Sequence, residues 1–93
     1  MERFDIAIIG AGVTGIATAR RLAMSGRRVL LLEKDADILS GASKANSALL
    51  HTGFDAPEGS LELRCMQQGY AEYMALCAAM NLPVLKTSAM VAA

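Results

Sequence analysis

Along the chain, apolar residues come first as a short continuous run, then at helical spacing, then as a run again. Phe4-Asp5-Ile6-Ala7-Ile8-Ile9 is mostly apolar and is closed by a glycine, which predicts a strand buried on both faces of a parallel sheet. Ile16, Ala19, Leu22 and Ala23 then recur at steps of three and four, leaving Arg20 and Arg21 for solvent, so residues 13–25 predict an amphipathic helix. Gly26 stands where a helix ends on a residue of positive φ, and Val29-Leu30-Leu31-Leu32 predicts a second buried strand. Strand, helix and strand within about thirty residues make a βαβ unit with parallel strands.

From residue 35 to 59 the pattern breaks into small and polar residues, read as loop with a short helical turn around residues 45–49. Ser60 is a good N-cap. Leu63, Met66, Tyr70, Met74, Cys77 and Met80 follow at helical steps, predicting a second long helix that ends near Asn81, before Pro83, with Tyr70 and Tyr73 on its packing face. Residues 87–93 read as one more strand. The fold class is α/β: a Rossmann-like dinucleotide-binding domain, incomplete, made of the βαβ unit, a second long helix and a strand.

Composition narrows the function classes. Nine basic side chains balance nine acidic ones, which gives no electrostatic footprint for nucleic acid or an anionic membrane. Ninety-three residues allow one small domain and make a weak candidate for a complete enzyme. The apolar stretch after Arg3 loosely resembles an export signal, but Glu2 and Asp5 remove a positive start and glycines recur at positions 10, 12 and 15. Cys65 and Cys77 fall about 18 Å apart along one helix at 1.5 Å per residue, too far to pair, and are read as packing thiols in a reducing, cytoplasmic setting. No C-x-x-C occurs, so no metal is expected.

The chemistry lies in Gly10-Ala11-Gly12-Val13-Thr14-Gly15, a G-x-G-x-x-G between predicted strand and predicted helix. Gly10 allows the tight turn, Gly12 lets a pyrophosphate approach the backbone, and Gly15 lets the helix pack closely on the strand. N–H groups at the helix start, including those of Val13 and Thr14, hold phosphate with help from the helix dipole. Glu33, at the end of the second strand and followed by Lys34, is 18 residues beyond Gly15, where a carboxylate accepts hydrogen bonds from the adenosine ribose. Such an acid disfavours a 2′-phosphate, making NADP the poorest fit. The glycine pattern alone does not separate FAD from NAD.

Ser40-Gly41-Ala42-Ser43-Lys44-Ala45-Asn46-Ser47-Ala48-Leu49-Leu50-His51-Thr52-Gly53 and the later Gly59-Ser60-Leu61 resemble the FAD-dependent oxidoreductases of the D-amino-acid-oxidase type. Within them the chain is most similar to the branch of glycerol-3-phosphate dehydrogenases and L-2-hydroxyglutarate oxidases, where S-x-x-N-S-G, H-x-G and G-S-L recur. Ala48 stands where that branch often has glycine. The resemblance implies FAD as cofactor, and hydride transfer to it from a small hydroxy acid, glycerol phosphate or amino acid. It implies that residues 1–93 are the N-terminal portion of an FAD-binding domain, the substrate domain lying outside this chain; the ending in Met90-Val91-Ala92-Ala93 is read as a truncation.

Under that resemblance Ser40, Ser43 and Ser47 are hydroxyl donors suited to the FAD phosphates and ribityl chain, or else turn formers. Asn46 bonds flavin or loop backbone. His51, the single histidine, falls near the flavin ring, either taking a proton from a substrate hydroxyl or amine or anchoring the loop. Two rival readings are an NAD-binding dehydrogenase fragment and a non-catalytic nucleotide-binding subunit. A lone piece of this kind leaves a sheet edge and apolar helix surface open, so self-association or a partner chain is expected.

Overall fold

The computed structural model describes residues 1–92. The chain divides into two compact units, one over Met1–Ala48 and one from Leu49 onward.

In the first unit, β1 (Ile6–Ile9), α1 (Val13–Met24) and β2 (Val29–Leu32) form the expected βαβ unit. The strands are parallel, with Ile6 opposite Val29 and Ile9 opposite Leu32. Helix α1 packs on this sheet through Ile16, Ala19 and Leu22, which are half-buried together with Ile6, Ile8 and Val29-Leu30-Leu31. Ala23, expected on the same face, is exposed. Neither strand is buried on both faces. Side chains alternate across a strand, and Ala7 and Ile9 point away from α1 into solvent, Ile9 being 88% exposed. Ala11, in the turn, is the buried apolar residue of the unit.

Gly26 ends α1 as its sequence position predicts. At φ +82° it turns the chain so that the Arg27 N–H reaches back to the Leu22 carbonyl at 3.2 Å, satisfying an otherwise orphaned helix acceptor. Asp5 fastens the start of β2 beside the start of β1, its carboxylate accepting from the Arg28 N–H at 2.8 Å while the Arg28 guanidinium lies over the Phe4 ring.

The short turn expected around residues 45–49 sits earlier, as a 3-10 turn over Ala42–Ala45. The chain leaves helical geometry at Asn46, extended at ψ 160°, and Ala48 then takes a φ of +57° in the left-handed region, its N–H held by the Asn46 Oδ1 at 2.8 Å.

The second unit is built on α2 (Leu61–Leu76). Ser60 caps it, its Oγ accepting from the Leu63 N–H at 3.0 Å. Leu63, Met66, Tyr70, Tyr73, Met74 and Cys77 form the half-buried stripe; Met80 is exposed, because the helix has already given way to turns that end at Asn81, φ +54°. Cys65 is exposed rather than packed, since it lies off that stripe. The strand expected over residues 87–93 does not form over 87–92: residues 83–92 carry no regular element, and Ala93 lies outside the described residues. A strand requires a hydrogen-bonded neighbour, and among the described residues the sheet consists of β1 and β2.

Candidate functional site

The glycine turn works as three separate devices. Gly10 takes φ +105°, closed to other side chains, and its N–H bonds the Leu32 carbonyl at 2.7 Å, pinning the turn to the end of β2. Gly15 lies against the Gly10 carbonyl: a Cβ there would overlap that oxygen and come within 3.1 Å of its carbon, with Ile8 Cγ2 at 3.6 Å. Helix and strand therefore meet at a separation only glycine permits. At Gly12, the N-cap of α1, a Cβ would stand 3.2 Å from Ser43 Oγ, on the side where the loop crosses the helix start.

Two side chains distant in sequence close onto this turn. Glu33, half-buried just past β2, accepts from the Ala11 N–H through Oε2 at 2.7 Å and from the Asp35 N–H through Oε1 at 3.0 Å. The Asp35 bond, then the Ala11 bond, holds its carboxyl below the ordinary carboxylate range. Each oxygen retains a lone pair for a further donor. Ser43 Oγ accepts from the Val13 N–H at 2.9 Å, which leaves its own proton to donate. Among the described residues the N–H groups of Gly12, Thr14 and Gly15 have no acceptor, so the start of α1 presents unsatisfied donors at the positive end of its dipole.

Between these groups lies a cleft of about 350 Å³, lined by Gly10, Gly12, Glu33, Lys34, Ser40 and Ser43 among the residues the sequence nominated. Asp35, Ile9, Gly41 and Ala42 also line it and were not anticipated. Asp35 lies in the bend that follows Glu33, and its carboxylate accepts from the Ser40 hydroxyl at 2.9 Å. Ser40 thus holds the loop as a turn former, bonding the Asp37 carbonyl as well.

Asn46 takes the loop-backbone option. Its Nδ2 donates to the Ser43 carbonyl and its Oδ1 accepts from Ala48. Ser47 is exposed. His51 belongs to the second unit, where it is exposed, and is not among the residues that line the cleft. The glycine of its H-x-G segment has a packing reason of its own: Gly53 is buried at φ +97°, and a Cβ would come 2.8 Å from Leu63 Cδ1 on α2.

An anion-binding helix start, a carboxylate able to accept from a diol, and a hydroxyl with a proton to give form the donor and acceptor set of a nucleotide diphosphate site. The cleft lies at the lower end of the roughly 300–1,000 Å³ range of ligand pockets. The residues fit the adenosine diphosphate half of a dinucleotide.

Residues 5–93 match the family model described as FAD dependent oxidoreductase, and the chain belongs to that family. Among individual proteins, it is 39% identical over 90 residues to the glycerol 3-phosphate dehydrogenase of Caloramator mitchellensis, a match covering 97% of this chain and 19% of that protein. It is 34% identical over 92 residues to the mitochondrial L-2-hydroxyglutarate dehydrogenase of Arabidopsis thaliana, covering 99% and 19% respectively. The glycerol 3-phosphate oxidase of Mycoplasma pneumoniae is 44% identical over 55 residues, covering 59% and 14%. The chain spans about one fifth of the length of the first of these relatives.

Proposed function

We propose that this chain is the N-terminal portion of an FAD-binding domain, holding the adenosine diphosphate half of FAD in an oxidoreductase whose substrate domain lies outside residues 1–93. The observation that carries this reading is the meeting of the glycine turn, Glu33 and the Ser40–Ser43 loop around one cleft. In it, the N–H groups of Gly12, Thr14 and Gly15 face the pyrophosphate while that of Val13, expected to join them, stays with Ser43 Oγ, and Glu33 receives the ribose hydroxyls. Ser43 gives its proton to a phosphate oxygen, and Lys34 lends positive charge at the rim. FAD, when bound, supplies the hydride acceptor. His51 takes the proton from the hydroxyl or amine of the substrate, which is a glycerol phosphate, a small 2-hydroxy acid or an amino acid; similarity to relatives named for the first two supports those classes. The protein acts in the cytoplasm, and residues 1–93 alone associate with themselves or with a partner chain to cover Ile9 and the free sheet edges.

The test is purification of the full-length protein, with absorbance across the flavin bands and chromatographic identification of the released cofactor. FAD released in about equal amount to protein is the expected result. A colourless protein that takes up NAD instead would overturn the reading.

A further inference from the structure

Asn46 performs a task that neither the glycine turn nor Glu33 can. Its Nδ2 donates to the carbonyl of Ser43 and its Oδ1 accepts the N–H of Ala48, so one side chain ties the 3-10 turn to the segment that follows it. Ala48 adopts φ +57°, a conformation that disfavours any residue with a Cβ. What compensates is the bond from the Asn46 carbonyl oxygen, which holds the Ala48 N–H where that backbone puts it. At the near end, the bond to Ser43 fixes the residue whose hydroxyl accepts from Val13 at the start of α1.

We infer that Asn46 is a positioning residue for cofactor retention: it does not itself line the cleft, and acts by holding Ser43, which does, over the helix start while stabilising the left-handed Ala48. The inference rests on the reading of the cleft as the FAD site. If it is right, Asn46 matters only while Ser43 has a hydroxyl to place, and matters more while position 48 carries a Cβ.

Both conditions can be tested in the full-length protein by titrating FAD into the apoprotein. Ser43→Ala and Asn46→Ala should each weaken FAD about tenfold, the usual scale for loss of a hydrogen bond to a charged partner. The double variant should be no weaker than Ser43→Ala within about twofold, because residues acting as one unit are non-additive. Adding Ala48→Gly to Asn46→Ala should recover part of the lost affinity, at least about twofold, since glycine takes positive φ without strain and no longer needs the Oδ1 bond, while the bond to Ser43 stays lost. That pair also keeps the loop foldable should Asn46→Ala alone prove unstable. Additive losses, failure of Ala48→Gly to rescue, or unchanged affinity in Asn46→Ala would each overturn the role of Asn46. No FAD uptake by the unmodified protein would overturn the site reading itself, and with it this role.

Discussion

Replacing Gly15 by alanine puts the close helix–strand contact to its hardest test. The added methyl would overlap the Gly10 carbonyl oxygen and press within 3.1 Å of its carbon. Both are main-chain atoms, so no side chain can swing aside. Gly10 cannot retreat either, being held by its bond to Leu32 at 2.7 Å and by a φ of +105°. The start of α1 must therefore lift from β1, at a cost at the top of the range for overpacking, about 3 kcal/mol or more. The informative control is Gly26→Ala, at a glycine of φ +82° with nothing within 4 Å of the added atom. There the penalty is conformational alone, about 1–2 kcal/mol, and Gly26 does not line the cleft. Urea unfolding of the full-length apoprotein, paired with FAD titration, separates the two. Gly15→Ala should lose both stability and FAD, whereas Gly26→Ala should lose some stability and keep its affinity. A Gly15→Ala protein that binds FAD normally, or that is no less stable than Gly26→Ala, would refute the packing argument.

Three further outcomes are expected. Gly12→Val should abolish flavin retention, since a branched side chain enters the space where a Cβ already stands 3.2 Å from Ser43 Oγ; the flavin-to-protein absorbance ratio after purification reads this directly. Glu33→Gln should weaken FAD about tenfold, the carboxamide keeping one acceptor and turning a donor toward the other N–H. Because the Glu33 carboxyl is held below its ordinary range by the Asp35 and Ala11 N–H groups, its stabilising contribution is present above the unfolded carboxylate pKa of about 4.3 and is lost as pH falls through the depressed value. The Glu33→Gln protein should accordingly lack that acid limb in a series of thermal melts below pH 5. His51→Gln should keep bound flavin yet slow its reduction by substrate at least about tenfold, general-base catalysis contributing about 10²–10⁴-fold, read by anaerobic stopped-flow bleaching across pH; near-normal reduction with the same pH profile would remove His51 from the chemistry.

Local physics made much of this legible in advance. Glycine turns, a serine cap and a helix-ending glycine state their conformations within a few residues, which is why Val29–Leu32, the start of α1 and the Ser60 cap fall where the pattern puts them. What escaped the sequence depends on partners that sequence order does not reveal. Nothing in the spacing of Glu33 or Ser43 announces that their side chains would take the Ala11 and Val13 N–H groups. Residues 87–92 have the composition of a strand but, among the described residues, pair with none. The 3-10 turn came earlier than residues 45–49 because helix propensity is silent about Ala48, whose left-handed backbone is held by a side chain two positions away.

The bonds from Ala11 to Glu33 and from Val13 to Ser43 bridge 22 and 30 positions of the chain, so two distant stretches are tied to one turn. Ordering a residue costs about 1–2 kcal/mol of backbone entropy, so a loop left free until a ligand arrived would subtract several kcal/mol from its affinity. Side chains that fasten a loop to a turn move that cost from binding to folding, and a substitution that cuts either bond would move it back.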